Sequence, residues 1–499
     1  MRSNSTLWAG FFLLTTGLFL TSCGGDDNDP TVVEPPIAEK NTDIQDFIWQ
    51  GMNEIYYWQG DVPNLADNKF STQATYKTFL ESIDDPTDFF NSLIYQPGVI
   101  DRFSWIVDDY IELENSFQGI STTDGLKFGV AAYGAEGVFG FVRYILPGSD
   151  ASNKEIKRGD LFTHVNGVAL NRSNYIELLY ESNSDKHTLS LAKLENNTIV
   201  PTGVDVELNK SVLTENPVYI SKSFLIDGKK IGYIMYNRFN DDFDDEINAA
   251  FGDLKAEGIT DLVLDFRYNP GGSVNTAVSI SSMITGQFKG EILLKEKWNR
   301  KYQSYFEANS PDYLISKFND KLQNGNLINS LELTNLYILT TRNTASASEL
   351  IINGLKPYIN VKLIGETTYG KSVASVTLYD SNNFGREGAN PDHKYAMQPI
   401  VLETRNKLDQ NDIDGFDPDL ELSEDIANMG VLGDPEEPLL QAAINMITGR
   451  ALKLDAQKIK FESNLIDAEV IPNYRNDMYL KLDTEELSKH FSRIPLSVE

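Results

Sequence analysis

Two segments about two-thirds of the way along the chain place hydroxyl groups and a lysine where they could take part in catalysis. Thr344-Ala-Ser-Ala-Ser-Glu349 is a turn of small residues carrying Ser346 and Ser348, and it follows an apolar run that predicts a strand. Lys371 stands on a glycine-bounded loop after a second predicted strand at 361–364. A serine hydroxyl attacks a carbonyl carbon only when a base removes its proton. A neutral lysine can be that base, and burial favours the neutral form of an amine.

Histidine is a weaker candidate for the base. The chain has four histidines, of which His164 and His187 lie in a predicted β region and His490 lies near the end of the chain. A histidine triad would therefore have to use His393. The sequence contains no Gly-x-Ser-x-Gly segment of the kind that presents the serine in many triad enzymes. These observations favour a Ser-Lys pair.

Acyl transfer also needs donors for the oxygen that becomes negative in the transition state. The amide of Ala347 is one candidate, because it lies at the start of a predicted helix, where N–H groups point outward. The turn at 269–272 could supply the second donor, since its glycines let the backbone approach a ligand closely. A purely structural interpretation stays open, because Ser346 and Glu349 also have the spacing of a helix capping box.

The region that would position these groups alternates strands with helices. From about Val212 to Arg450 the sequence predicts an α/β domain with a substantially parallel sheet, whose ligand site lies at the carboxyl ends of the strands. The candidate site residues follow the ends of predicted strands. The predicted strands are 231–236, 262–266, 336–340 and 361–364, and the predicted helices are 241–257, 274–284 and 349–355.

Three segments together resemble the signature segments of the C-terminal processing, or tail-specific, peptidases. They are Asp265-Phe-Arg-Tyr-Asn-Pro-Gly-Gly272, Thr344-Ala-Ser-Ala-Ser-Glu349 and Gly365-Glu-Thr-Thr-Tyr-Gly-Lys371. The resemblance implies a multidomain α/β protein with a ClpP/crotonase-like peptidase core. It implies that Ser346 is the nucleophile, that Lys371 is the general base, and that the amides of Gly272 and Ala347 form the oxyanion hole. Ser375 stands where the family often has a glutamine that orients the lysine.

The preceding region has short β-prone runs and resembles a PDZ domain. The predicted strands are 128–132, 138–145, 161–165 and 188–194, with a helix at 173–180. Gly125, Leu126, Lys127 and Phe128 stand where that family has a Gly-Leu-Gly-Phe carboxylate-binding loop, with Lys127 replacing the second glycine. Such domains add a peptide as a strand and bind its terminal carboxylate. A purely structural β-domain is the alternative.

The N-terminus predicts export. Arg2 precedes an apolar run at 7–20 that has the length of a signal-peptide core. The following Leu20-Thr-Ser-Cys23 resembles a bacterial lipobox, and Cys23 is the single cysteine of the chain. The resemblance implies lipidation at Cys23 and a cell-envelope protein anchored to the outer membrane, on its periplasmic face or at the cell surface.

We therefore expect six regions in the chain. The pattern at 41–116, including 103–111, is helical, and it predicts a small helical domain rather than a lid over a substrate groove. The expected regions are a signal peptide at 1–22, a flexible tether at 23–40, a helical domain at 41–116, a PDZ-like domain at 117–208, a peptidase core at 209–450 and a tail without assigned role at 451–499.

Composition narrows the possible partners. The formal net charge of -30 argues against nucleic acid, because phosphate binding needs clustered Lys and Arg. We expect an exported serine endopeptidase that needs no metal or organic cofactor and acts on extended or unfolded polypeptides presented by their free C-termini. The alternatives are a catalytically inactive PDZ-type scaffold and an acyl-transfer enzyme acting on a small ester or thioester.

Overall fold

The computed structural model describes residues 40–182, 184–451, 464–465 and 478–480. Cys23, the predicted signal peptide and all of the predicted tether except Lys40 lie outside these residues, as does most of the predicted tail. The first described region is mainly helical. Its elements are α1 (Asp43–Ile55), α2 (Gln73–Leu80), α3 (Pro86–Asn91), β1 (Trp105–Val107) and α4 (Tyr110–Phe117).

A β region follows, and its predicted strands are confirmed. Its elements are β2 (Ile120–Thr123), β3 (Leu126–Tyr133), β4 (Gly137–Ile145), β5 (Leu161–Val165), β6 (Val168–Ala169), α5 (Tyr175–Leu179), β7 (Lys186–Glu195), β8 (Thr198–Asn209) and β9 (Ser211–Thr214). Strands β3, β4, β5, β7 and β8 pair in that order, and β6 pairs with β5. Inward-facing side chains such as Val130, Phe162 and Leu189 form a hydrophobic cluster of their own. This region therefore has a separate core.

The remaining described residues form the α/β region. Its elements are β10 (Val218–Ile226), β11 (Lys229–Tyr236), α6 (Asp244–Glu257), β12 (Asp261–Asp265), α7 (Val274–Ile284), β13 (Ile292–Trp298), α8 (Arg300–Asn309), β14 (Ile315–Lys317), β15 (Asn335–Thr340), α9 (Ala347–Leu355), β16 (Asn360–Gly365), β17 (Val373–Val376), β18 (Leu378–Tyr379), β19 (Ala396–Gln398), β20 (Ile400–Asn406), β21 (Leu420–Glu421), α10 (Pro438–Thr448) and β23 (Tyr479–Leu480). The two-residue strand β22 (Asn464–Leu465), which precedes β23, instead pairs with β3 and extends the sheet of the β region.

The predicted parallel sheet is confirmed. Strands β11, β12, β15, β16 and β21 lie side by side in parallel, and β10 adds an antiparallel edge to β11. Every residue of β12 is buried, as expected for a parallel strand covered on both faces. Because the strands are parallel, the segments that follow β12, β15 and β16 emerge at one edge of the sheet.

A second sheet carries the lysine side of the site. Its strand order is β14, β13, β20, β17 and β23. Strand β17 begins two residues after Lys371 and pairs with β20 in antiparallel fashion, with Ser375 opposite Ile400. On its other side it pairs in parallel with β23, from near the end of the chain. The lysine loop therefore joins the two sheets.

The helical prediction for residues 103–111 is wrong. Residues 105–107 form β1, which pairs with β19 in antiparallel fashion, so that Trp105 lies opposite Gln398. Helix α4 begins only at Tyr110, after Asp109 accepts the amide of Ile111 at 2.8 Å. Pairing with a strand that lies far away in the sequence overrides the local pattern.

The N-terminal helices do not have a core of their own. Phe47, Tyr56 and Phe89 belong to the same hydrophobic cluster as Phe251 and Leu350 of the α/β region. The helical region is thus packed onto the core. Within the described residues, no helix combines the length and the apolar character needed to cross a bilayer.

Candidate active site

Two of the predicted site segments touch at Ser346. A Cβ atom placed on Gly271 would lie 2.6 Å from Cβ and 2.9 Å from Oγ of Ser346. Only glycine allows this approach, and Gly271 has a φ of +111°, a region that L residues rarely adopt. The carbonyl of Asn269 also accepts the amide of Ala345 at 3.2 Å and the hydroxyl of Ser348 at 3.3 Å. The turn at 269–272 therefore lies directly on the start of α9.

Ser346 has a strained backbone. Its φ is +67° and its ψ is -116°, at the residue that precedes α9. A non-glycine residue in such a region costs about 1–3 kcal/mol, and such residues cluster at active sites. Its Oγ is buried and makes no hydrogen bond with any described residue. Glu349 accepts the amide of Ser346 as in a capping box, so helix capping stays an alternative interpretation of this serine.

Glu349 connects the serine segment to the lysine segment. Its Oε2 accepts the amide of Ser346 at 2.7 Å and the amide of Lys371 at 2.9 Å. Its Oε1 accepts the hydroxyl of Thr368 at 2.6 Å and the amide of Gly370 at 2.7 Å. Burial raises the pKa of Glu349, although these four hydrogen bonds act in the opposite direction. One buried carboxylate thus fixes the backbone of both predicted catalytic residues.

Lys371 is buried next to an aromatic ring. Its exposed fraction is 1%, and its Nζ lies 4.9 Å from the centre of the Phe103 ring. The guanidinium of Arg102 stacks on the same ring at 4.7 Å and donates to the carbonyl of Gly370 at 2.9 Å. The segment 102–103 therefore holds the lysine loop from the side of the N-terminal region.

The two amides predicted for the oxyanion hole have no acceptor among the described residues. Neither Gly272 nor Ala347 donates a backbone hydrogen bond within that part of the chain. Gly272 has a φ of +134°, and a Cβ there would lie 2.1 Å from the carbonyl oxygen of Phe239. Glycine is therefore required at both 271 and 272. Ala347 is the first residue of α9, where amides have no partner within the helix.

Ser375 lies in β17 and is fully buried. Its Oγ donates to the carbonyl oxygen of Met478 at 3.2 Å, and its amide donates to the same oxygen at 2.9 Å. The structure thus gives this hydroxyl an acceptor near the end of the chain. A role for Ser375 in orienting Lys371 stays a prediction.

The histidine alternative is not supported by the geometry. Nε2 of His393 lies 2.9 Å from a carboxylate oxygen of Asp380, and Nδ1 accepts the amide of Tyr395 at 3.1 Å. Burial lowers the pKa of His393. Both ring nitrogens of His393 are therefore engaged by residues other than Ser346.

The predicted peptide-binding loop begins β3. Gly125 has a φ of +85°, and a Cβ there would lie 2.1 Å from the Ser149 side chain. The amide of Leu126 donates to Asp124 at 2.7 Å. Lys127 forms an ion pair with Glu215 at 3.0 Å. The Phe128 and Phe162 rings are 5.6 Å apart.

The Lys127 ammonium is therefore paired rather than presented to a ligand. Binding of a peptide carboxylate by Gly125, Leu126, Lys127 and Phe128 stays a prediction.

A buried ionic network joins the β region to the segment that carries Gly272. Arg158 donates to Tyr268 at 2.7 Å and to Glu424 at 2.5 Å. Arg267 donates to the same Glu424 oxygen at 3.0 Å and to Glu437 at 2.7 Å. Burial alone would raise the pKa of Glu424, but the two guanidinium groups lower it to about 2.

Sequence reasoning missed this network and the four-donor role of Glu349. The position of Glu349 in a capping-box pattern was the only signal for it, and the partners of Arg158 are distant in the sequence.

Comparison with known proteins agrees with this arrangement. The model of peptidase family S41 matches residues 230–419, and the model of the peptidase S41 N-terminal domain matches residues 43–105. A carboxyl-terminal-processing protease of Picosynechococcus sp. is 26% identical over 304 residues, which are 61% of this chain and 65% of that protein. A CtpA-like serine protease of Staphylococcus aureus is 25% identical over 232 residues, which are 46% of this chain and 42% of that protein.

The chain thus spans less than two thirds of the length of these curated relatives. A crystal structure of a Bacteroides fragilis protein assigned to the S41 proteases has a TM-score of 0.62 and 24% identity, and it covers 83% of this chain and 99% of that one. The shared fold, the two matching family models and the convergence of the three signature segments lead to one conclusion. The chain belongs to peptidase family S41.

Proposed function

We propose that this protein is a serine peptidase in which Ser346 is the nucleophile and Lys371 the general base. The observation that carries the proposal is the bond pattern of Glu349, whose Oε2 accepts the amides of both residues at 2.7 and 2.9 Å. The turn at 269–272 brings Gly271 next to Ser346, so that a Cβ atom on Gly271 would lie 2.9 Å from Ser346 Oγ. These contacts support the proposal, because one carboxylate holds the backbones of Ser346 and Lys371 and the turn at 269–272 lies against Ser346.

The chemistry follows from these positions. The amine of Lys371 accepts the proton of Ser346 as Oγ forms a bond to the carbonyl carbon of the scissile peptide. The carbonyl oxygen becomes negative and accepts the amides of Gly272 and Ala347. The Lys371 ammonium then gives the proton to the departing amine, and the C–N bond breaks. Water attacks the remaining ester with Lys371 again as base, which releases the carboxyl product and restores Ser346.

The substrate class rests on the β region. An extended chain can pair with a strand edge next to a positive-φ glycine loop. Strand β3 begins at such a loop, and among the described residues only Asn464 and Leu465 pair along its outer edge. We infer that the substrates are extended or unfolded polypeptides whose free C-termini bind at Gly125, Leu126, Lys127 and Phe128. Residues 117–208 then act as a PDZ-like presentation domain, and the cleaved bond lies in the core at Ser346.

The cellular site of action rests on the N-terminal sequence. We propose that Cys23 is lipidated and that the protein is anchored to the outer membrane. Metabolic labelling with a palmitate analogue should mark the unmutated protein and should not mark Cys23→Ala. Labelling that persists in Cys23→Ala would contradict the anchor.

The activity itself is tested with a soluble form that starts after Cys23. Incubation with casein should release peptides that mass spectrometry identifies, and chelation of metal ions should leave the rate unchanged.

Full burial of Ser346 favours a second candidate, a scaffold that binds peptides without cleaving them. No hydrolysis, together with binding of C-terminal peptides, would establish the scaffold instead.

A further inference from the structure

The predicted nucleophile is sealed in this structure. Ser346 has an exposed fraction of 0%, and that of Lys371 is 1%. A peptidase must bring Oγ to about 3 Å from the carbonyl carbon of a polymeric substrate. Some neighbouring segment therefore has to move before the enzyme can act. Strand β23 is the candidate, because it lies between Gly272 and Ser375.

The peptide group between Met478 and Tyr479 spans the site from one flank to the other. Its N–H, from Tyr479, donates to the carbonyl oxygen of Gly272 at 3.2 Å. Its carbonyl oxygen, from Met478, accepts the amide of Ser375 at 2.9 Å and the hydroxyl of Ser375 at 3.2 Å. Gly272 belongs to the predicted oxyanion hole, and Ser375 stands four residues after Lys371. The segment is thus bonded to both halves of the catalytic site.

The contact has the geometry of an added strand. Tyr479 pairs in parallel with Ser375 and, on the opposite side, with Ser273. Leu480 pairs with Val376. Extended peptides bind to proteins by this same addition of a strand to an open edge, in which backbone hydrogen bonds supply affinity without requiring a particular sequence. A substrate strand would find this slot filled.

A second strand edge is filled by the same end of the chain. Asn464 and Leu465 pair in antiparallel fashion with Ala132 and Ala131 of β3. Strand β3 is the one that begins at the predicted carboxylate-binding loop. Two edges proposed to receive substrate, one in the β region and one at Ser346, are therefore occupied by residues 464–465 and 478–480.

Side chains help to hold β23 in place. The Tyr479 ring stacks on Phe117 with centres 4.2 Å apart and an interplanar angle of 24°. Met478 is fully buried in the large cluster shared by the helices and the core. These contacts are apolar and lie at an edge of the sheet, so another extended chain with an apolar residue could replace them.

From these contacts we propose that residues 478–480 occupy the strand-binding slot beside Ser346 in the same chain, and that a substrate must displace them before it is cleaved. In the absence of substrate these residues fill the slot, so the activity depends on how readily they leave it. The inference rests on the proposed peptidase function, and it names the occupant of that site in the absence of substrate.

A reversible disulfide that holds β23 against β17 tests the inference; we call it the lock. Val376→Cys with Leu480→Cys places two thiols on neighbouring, register-paired strands, whose separation of about 4.8 Å suits a disulfide. The soluble form that starts after Cys23 has no other cysteine. The oxidised protein should hydrolyse casein about tenfold or more slowly than the same protein after reduction, because the competent state is no longer populated. Equal rates, or failure of the disulfide to form, would overturn the inference.

A second variant works in the opposite direction. Tyr479→Pro removes the N–H that donates to Gly272, whereas Tyr479→Phe keeps both the N–H and the ring. Tyr479→Pro should hydrolyse casein about threefold or more faster than the unmutated protein, and Tyr479→Phe should match it. A rate for Tyr479→Pro that is unchanged or lower, or a variant that fails to fold, would identify β23 as a permanent part of the fold and overturn the inference.

Failure of the proposed function can be separated from failure of the inference. If no form hydrolyses casein, the peptidase proposal is wrong. The lock is then judged by binding of a fluorescent casein peptide to the double-cysteine protein that also carries Ser346→Ala. The oxidised form should bind about tenfold more weakly than the reduced form, and equal binding would overturn the inference.

Discussion

Glu349 accepts the backbone amide of Lys371 at 2.9 Å with the same carboxylate oxygen that accepts the amide of Ser346. The position of the predicted base relative to the predicted nucleophile thus depends on a side chain that takes no part in proton transfer. We therefore expect Glu349 to act as a positioning residue.

Replacing Glu349 by glutamine should therefore impair both stability and activity. The glutamine side chain keeps one oxygen that can accept hydrogen bonds, but its NH₂ group replaces the other oxygen and faces backbone N–H donors. We expect the free energy of unfolding to fall by about 2–4 kcal/mol and kcat/KM to fall by about 100-fold, because small displacements of catalytic groups have effects of that size. Denaturant melts and casein assays measure the two quantities.

Glu387→Gln is the matched control, since Glu387 is exposed, and it should change neither quantity. Activity of Glu349→Gln within about twofold of the unmutated protein would contradict the positioning role.

The folded state should lose stability as pH rises through the titration of Glu296. Burial raises the pKa of this carboxyl from its ordinary value of about 4.5 to about 7, and Trp298 and Ser316 are its hydrogen-bond donors. A raised pKa means that folding favours the protonated form. The contribution of the protonated carboxyl to the free energy of unfolding is fully present below about pH 4.5 and is lost by about pH 7, a change of about 3 kcal/mol.

Glu296→Gln keeps the hydrogen-bonding capacity and cannot ionise. Its free energy of unfolding relative to the unmutated protein should rise between pH 5 and pH 8 in urea melts. Exposed Glu291 provides the control, and Glu291→Gln should show no such trend. If the difference in free energy of unfolding between Glu296→Gln and the unmutated protein stays constant with pH, the raised pKa of Glu296 is contradicted.

Arg158 should be essential for the attachment of the β region to the core. Its guanidinium donates to Tyr268, Glu424 and the carbonyl of Met429. Arg158→Met retains most of the volume but leaves a buried carboxylate short of one partner, so we expect a loss of about 3–5 kcal/mol. The exposed Arg172, in the same region, should tolerate Arg172→Met in the same thermal melt. Similar melting temperatures for the two variants would show that the network is dispensable.

Much of the core was predictable because the determinants are local. The strands at 335–340 and 360–365 and the helix at 274–284 follow apolar runs bounded by glycine or small residues, and the structure has them where the patterns predict. The predicted nucleophile, the predicted base and the glycine turn belong to short segments whose residue types can be read directly.

The remaining features depend on contacts between distant residues. The partners of Glu349 at 368–371 meet it only when α9 and the loop after β16 are assembled. Strand β1 was mistaken for helix because its partner lies near residue 397. Strand β23 has only two residues, which is too few for any periodicity, and its pairing with Ser375 has no local signal.

Peptide binding should depend on a free carboxylate if the β region presents C-termini. Extended peptides with a free C-terminus should bind the soluble Ser346→Ala protein about tenfold more tightly than their C-terminal amides, since a charged hydrogen-bonding partner is worth about 1.5–3 kcal/mol. Fluorescence anisotropy measures both. Equal affinity would contradict carboxylate recognition at residues 125–128.

Casein hydrolysis by four soluble proteins tests the assignment of the nucleophile and the base: unmutated, Ser346→Ala, Lys371→Ala and Ser348→Ala. Ser346→Ala and Lys371→Ala should lose at least about 1,000-fold in kcat/KM, while Ser348→Ala should retain activity. Ser346→Ala should melt within about 1 kcal/mol of the unmutated protein, because its Oγ has no partner among the described residues. Hydrolysis that survives Ser346→Ala, or that is lost only in Ser348→Ala, would contradict the assignment of the nucleophile.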